Sequence, residues 1–159
     1  MGFQSREDCR AVQSPPASPE ARLQWLVDRA EIAELMVEYA RCIDHRDWAG
    51  MQDCYTEDGI MDHGAIAVGR DRVPELSEKI LSGVEDSHHV VDSPAIAIEG
   101  DGAELHCHYF ATHIATGGTV IRHGGGWYDC TLRRTPEGWR FTRVKATSGW
   151  RSGEPIRLS

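Results

Sequence analysis

The amino-acid sequence predicts an α+β domain, a curved antiparallel sheet wrapped as a cone around a long N-terminal helix. Three observations carry this reading. Apolar residues recur at spacings of three and four from Leu23 to Ile43. The period changes to two near residue 87. Turn-forming residues then divide that alternating half into four runs. Helices followed by strands, rather than alternating with them, give an α+β order.

The elements follow in turn. Ser18-Pro19-Glu20 starts a helix, with Ser at the cap and Pro in the first turn. Leu23, Leu26, Val27, Ala30, Ala33, Met36, Val37, Ala40 and Ile43 make its apolar stripe, so it runs from about Pro19 to His45. Asp47-Trp48 restarts a short helix carrying Met51, Cys54 and Tyr55, and Glu57-Asp58-Gly59 turns the chain. Ile60–Asp62 and Ala65–Val68 read as two short strands. Asp71 is expected to cap a third helix, through Leu76, Ile80 and Leu81, ending near Gly83. Four strands then fall at about 87–98, 103–116, 119–133 and 139–150. The turns between them are Gly100-Asp101-Gly102, Gly117-Gly118 and Thr135-Pro136-Glu137-Gly138. Residues 1–17 read as a polar disordered arm, residues 18–152 as one domain and residues 153–159 as a tail.

The chain has 159 residues, enough for one self-sufficient core. Its hydrophobic and charged fractions, 40% and 26%, are those of a globular protein. The net charge of −8 opposes nucleic-acid binding, which needs clustered positive charge. Cys9, Cys42, Cys54, Cys107 and Cys130 form an odd set with no CxxC pair. They are expected to be free thiols in a reducing cytoplasm. No apolar run approaches the ~20 residues that span a bilayer, and no signal-peptide core is visible, so no membrane partner is expected.

The eight histidines are the most informative polar residues. Ala103, Leu105, Cys107, Tyr109, Ala111 and His113 alternate onto one strand face, which is otherwise apolar. His113 is therefore expected inside. His106 and His108 fall on the outer face with Phe110 and Ile114. Such a half-apolar outer face suits a symmetric partner, so a homodimer or higher oligomer is expected. His88 and His89 must point opposite ways, and Pro94 prevents the period from choosing between them. Asp44 lies in the last turn of the long helix, an unfavourable place against the negative end of the helix dipole. A lasting cost without structural return suggests function. No metal is expected, since a third ligand for His106 and His108 is not placed by sequence. Gly124-Gly125-Gly126 lies inside a strand and reads as a bend, not a phosphate loop.

The segments EIAELMVEYARCIDHRDWAGMQDCYTEDGIMD, SHHVV, GGGWYD and TPEGWRFTRV resemble the SnoaL-like domains of the nuclear-transport-factor-2-like superfamily. Within it the chain is most similar to the branch of scytalone dehydratase, hexachlorocyclohexane dehydrochlorinase and the bile-acid 7α-dehydratases. The resemblance implies a helix aspartate, Asp44, holding a sheet histidine, His89, with a second pocket histidine at His113 and a helix tyrosine at Tyr39. Two tyrosines of scytalone dehydratase fall here on Ile43 and His63. Arg143 and Lys145 are nearby candidates for the cations of the dehydrochlorinase, and Asp92 is close to the active histidine position of the bile-acid enzymes. His63, Tyr55, Trp127 and Trp150 are candidate substrate-binding residues.

An aspartate–histidine pair makes a general base, because the carboxylate fixes the tautomer and stabilises the imidazolium. The expected function is a cofactor-free lyase of the dehydratase type, or a double-bond isomerase. The substrate would be a small cyclic or polyketide-like hydroxy-ketone. A non-catalytic binding or assembly module of the same fold is the alternative. An epoxide hydrolase would need an Asp-Arg-Asp arrangement, which the sequence does not offer.

Overall fold

A computed structural model describes residues 13–115 and 117–153. Most of the expected arm, residues 1–12, lies outside the described residues, as does the tail beyond residue 153. The described end of the arm is held: the Gln13 side chain donates to the Ile98 carbonyl (2.8 Å) and accepts from its N–H (3.0 Å) and from Trp25 Nε1 (3.0 Å).

Helix α1 spans Pro19–His45, and Ser18 Oγ accepts from the Ala21 N–H as its cap. Its buried face is Asp28, Ile32, Met36, Tyr39, Ala40, Cys42 and Ile43. Leu23, Leu26, Val27 and Val37 are exposed, so the expected stripe is corrected at these positions. Asp28 explains the difference. It accepts both guanidinium nitrogens of Arg134 (2.8 Å each) and Trp139 Nε1 (3.2 Å). That ion pair holds the Asp28 face of the helix against the sheet.

Arg46 ends α1 with φ 56, a left-handed conformation usually left to glycine. Its guanidinium compensates by donating to the carbonyls of Ile43 (2.6 Å) and Val84 (3.1 Å) and to Ser87 Oγ (2.7 Å). Asp47 then caps α2, Trp48–Asp53, by accepting from the Gly50 N–H. Tyr55 was expected on that helix, but it begins strand β1, Tyr55–Asp62. The expected turn at Glu57-Asp58-Gly59 is a bulge within this strand, where the register slips between Tyr55 and Ile60. Strand β2 is Ala67–Gly69. A 3₁₀ turn at Arg70–Arg72 leads into α3, Val73–Ile80. Asp71 therefore sits in the turn, and Arg72 occupies the cap position without a side-chain capping bond.

Strands β3 (Asp86–Glu99), β4 (Gly102–Ala115), β5 (Thr119–Thr135) and β6 (Gly138–Gly153) form the antiparallel meander. The whole sheet has the order β2-β1-β6-β5-β4-β3. Strand β1 pairs β6 in parallel, so the sheet is mixed rather than wholly antiparallel. It is curved and open, with β2 and β3 at its edges. Tyr39 on α1 meets Tyr55, Tyr128 and Phe141 edge-on at centroid distances of 6.1, 5.9 and 5.8 Å. These rings, with Ile32, Met36 and Leu105, join helix to sheet in one core.

A slip in the pairing of β5 and β6 shapes the far half of the sheet. Gly125 faces Trp150 and Gly126 faces Ser148, which leaves Gly149 as an extra residue on β6. A Cβ on Gly126 would stand 1.9 Å from the Thr147 carbonyl oxygen. Gly126→Ala should therefore lower stability by ~2 kcal/mol or more. Gly69→Ala, where nothing lies within 4 Å, should be nearly neutral. Urea unfolding of both variants checks this; equal midpoints would contradict the packing described.

Candidate active site

The site begins where α1 ends. Asp44 turns both carboxylate oxygens toward β3. Its Oδ1 lies 2.6 Å from His89 Nδ1 and accepts from Ser87 Oγ (3.0 Å), while Oδ2 accepts from the His89 N–H (2.8 Å). Ser87 and His89 share the inner face of β3, and His88 between them is exposed. Burial alone would raise the Asp44 carboxyl. The hydrogen bonds from the His89 ring and N–H and from Ser87 outweigh it and hold the carboxyl below its ordinary value. An ionised Asp44 only accepts, so His89 carries its proton on Nδ1 and leaves the Nε2 lone pair free.

His89 lines a cavity of about 380 Å³ between the helices and the sheet, and Asp44 stands behind it, outside the lining. Tyr39, Ile43, His63, His113, Arg122 and Arg151 also line this space. The ring of His113 stands edge-on to that of His89, centroids 5.9 Å apart. Burial, then the charge of Arg122 and the neighbouring His89 and Arg46, push His113 down to about 4 against the opposing pull of Asp44. It is a neutral imidazole near pH 7. Burial also lowers His63, outweighing Asp62, and pushes the Tyr39 hydroxyl well above its ordinary value. The Tyr39 hydroxyl lies 3.4 Å from that of Tyr55, and Tyr39 lines the cavity.

The other sequence candidates lie elsewhere. Tyr55 backs Tyr39 without lining the cavity. Trp127 and Trp150 flank a groove on the outer face with Val90, Asp92 and Phe110, and Trp150 lies 5.8 Å from the Phe110 ring. Strict alternation through Val144, Ala146 and Ser148 would carry Trp150 inward. The extra residue at Gly149 reverses the faces, sending Trp150 out and Arg151 in. Arg143 pairs with Asp62 outside the cavity lining, and Lys145 is likewise outside it. Asp92 is exposed.

The sequence reading missed Arg46, Ser87, Arg122 and Arg151. Arg122 was legible, because it shares a strand face with Gly124 and Tyr128. Arg151 was not, since no local signal marks the bulge before it. Among the described residues no group of three His, Cys, Asp or Glu is placed to hold a metal.

These pKa directions give stability a definite pH dependence. An unfolded histidine titrates near 6.5, whereas folded His113 takes its proton only near 4. The unfolded chain binds more protons between those values, so stability should fall as pH drops through that window. The shift corresponds to roughly 3 kcal/mol. His63 adds loss in the same direction. Asp44, with a depressed carboxyl, adds loss only at lower pH, as the medium falls through its folded value. Denaturant melts at stepped pH should show this limb, and His113→Gln should flatten it between pH 6.5 and 4. An unchanged limb in that variant would argue against a buried neutral His113.

Comparison with known proteins places the chain in a family. The model of the SnoaL-like domain matches residues 24–145. An uncharacterized protein of Mycobacterium tuberculosis is 28% identical over 120 residues, 73% of this chain and 82% of that protein. A solved structure from Novosphingobium aromaticivorans, provisionally named a scytalone dehydratase, has a TM-score of 0.75 at 19% identity. It covers 84% of this chain and 92% of that one. A type 2 hexachlorocyclohexane dehydrochlorinase, LinA, has a TM-score of 0.74 at 15% identity, over 86% of this chain and 96% of that one. Likeness at these identities establishes the fold and leaves the reaction to the site. The long helix, the curved open sheet and the family match together make this chain a member of the SnoaL-like domain family.

Proposed function

We propose that the chain is a cofactor-free lyase of the dehydratase type, or a double-bond isomerase, acting on a small cyclic or polyketide-like hydroxy-ketone. The observation that carries this reading is the aim of Asp44. Both of its oxygens go to His89, which lines the cavity. That arrangement suits a general base whose tautomer is fixed from behind.

In the elimination, His89 Nε2 removes a proton from the carbon next to the ketone. The electron pair of that C–H bond forms the new C=C bond, and the C–O bond to the β-hydroxyl breaks. The imidazolium returns its proton to the departing hydroxyl, so water and an enone leave and the protein is unchanged. In the isomerisation the same proton returns to a different carbon. Neutral His113 and the Tyr39 hydroxyl serve as donors to the ketone oxygen as it takes on enolate charge. With His113 near 4, it acts by hydrogen bonding rather than as an imidazolium acid.

Turnover can be followed by enone absorbance across a panel of cyclic β-hydroxy-ketones. His89→Ala should lower it about 100-fold or more. Asp44→Asn should keep the fold yet lose most activity, because the amide no longer enforces the Nδ1–H tautomer. Cys107→Ser, buried in the core away from the cavity lining, should matter far less. Near-normal turnover by His89→Ala would remove His89 from the mechanism. Wild-type protein that binds the panel without converting any member would favour the binding-module reading.

The outer sheet face supports association as a homodimer or higher oligomer. Val90, Phe110, Val120 and Trp150 are exposed there. A mass above one chain by light scattering at micromolar concentration is expected, and Phe110→Glu should lower it. A monomer at that concentration would refute association.

A further inference from the structure

We infer that the substrate is an organic acid, its carboxylate held between Arg122 and Arg151. The inference deepens the catalytic reading above and rests on the same cavity.

Three buried side-chain polar atoms lack a protein partner among the described residues: His63 Nε2, His113 Nδ1 and Arg122 Nε. All three residues line this one cavity. Buried polar groups are rarely left unpaired, and three around one space mark it as built for a polar occupant. Two of its residues are cations, the half-buried Arg122 and the exposed Arg151. Among the described residues neither Arg122 nor Arg151 has a carboxylate partner, and Arg151 donates to Ser148 Oγ (3.2 Å). Other arginines on the sheet do meet carboxylates, as Arg134 with Asp28 and Arg133 with Asp58.

The pairing of the strands fixes where these cations stand. One row across the sheet is His89, Ala111, Gly124 and Arg151, on β3, β4, β5 and β6. The next is Ser87, His113 and Arg122. At ~4.8 Å between strands and ~3.3 Å per residue along them, Arg122 and Arg151 begin roughly 12 and 14 Å from His89. Ala111 and Gly124 between them keep the floor of the cavity clear. A bound molecule would thus meet the base at one end and two guanidinium groups at the other.

Unpaired, this arrangement is unfavourable. Burial and the charge of Arg151 both depress Arg122. A carboxylate relieves both effects and matches the planar guanidinium fork. The rest of the lining is largely apolar, with Ile43, Met61 and Leu81. That suits a small carbon skeleton bearing one acid group rather than a phosphate.

Calorimetry on the full chain tests this with 4-oxocyclohexanecarboxylate, its neutral carboxamide and inorganic phosphate. The carboxylate should bind about ten-fold or more tightly than the amide. Arg122→Gln and Arg151→Gln should each erase that difference, and Arg122→Lys should keep part of it. Both glutamine variants should melt no lower than the parent, because each removes one of two unpaired like charges. His89→Gln should retain the carboxylate preference. This variant separates the two claims, since the anion site can fail with the base intact and the reverse. Equal binding of acid and amide, no binding of either, or phosphate binding as tightly as the carboxylate would each overturn the inference. So would a preference that survives in both glutamine variants.

Discussion

Asp44 is an acid at the negative end of a helix, and the structure is arranged around making that tolerable. Left alone, the carboxylate would oppose the helix dipole and the partial burial of its site. Three donors answer it, from Ser87 Oγ, the His89 N–H and the His89 ring. All three come from β3, an edge strand with β4 as its single strand neighbour. The same contact therefore ties the helix to the sheet margin and holds the imidazole ring. Arg46 reinforces it from the next position. Its strained backbone is over-determined by bonds to α1, to Val84 and to Ser87. Strand β3 cannot move relative to α1 without breaking both sets.

The cavity depends on a second device, the use of glycine where the sheet changes face. At Gly124 and Ala111 the inner surface has little side chain, and the space above them is open. At Gly125 a Cβ would meet the Trp150 indole at 2.6 Å, so glycine lets that ring lie close over the outer surface. The extra residue at Gly149 then exchanges Trp150 for Arg151 on the inner side. One inserted residue removes an aromatic wall and supplies a cation.

Much of this was legible in the sequence, for physical reasons that also explain the misses. The cap at Ser18 and the loss of apolar period after Ile43 bounded α1 at Pro19–His45. Period-two alternation put His113 inside and His108 outside. It could not decide between His88 and His89, and the family resemblance supplied that choice. The parallel pairing of β1 with β6 joins segments about eighty residues apart and leaves no local trace. Bulges reverse faces without a compositional mark stronger than a glycine, which is why Trp150 was expected inside. The face of α1 was misread because a buried acid, Asp28, fixes its rotation where apolar counting looks only for leucines.

The central claim is that Asp44 fixes His89 as a base with its lone pair on Nε2. Nitrogen-15 NMR of the His89 ring reads this directly, at a pH high enough to keep the ring neutral. The account expects a protonated Nδ1 and a bare Nε2 in the parent chain, with that preference lost in Asp44→Asn. A proton on Nε2 in the parent, or a tautomer indifferent to the substitution, would contradict it.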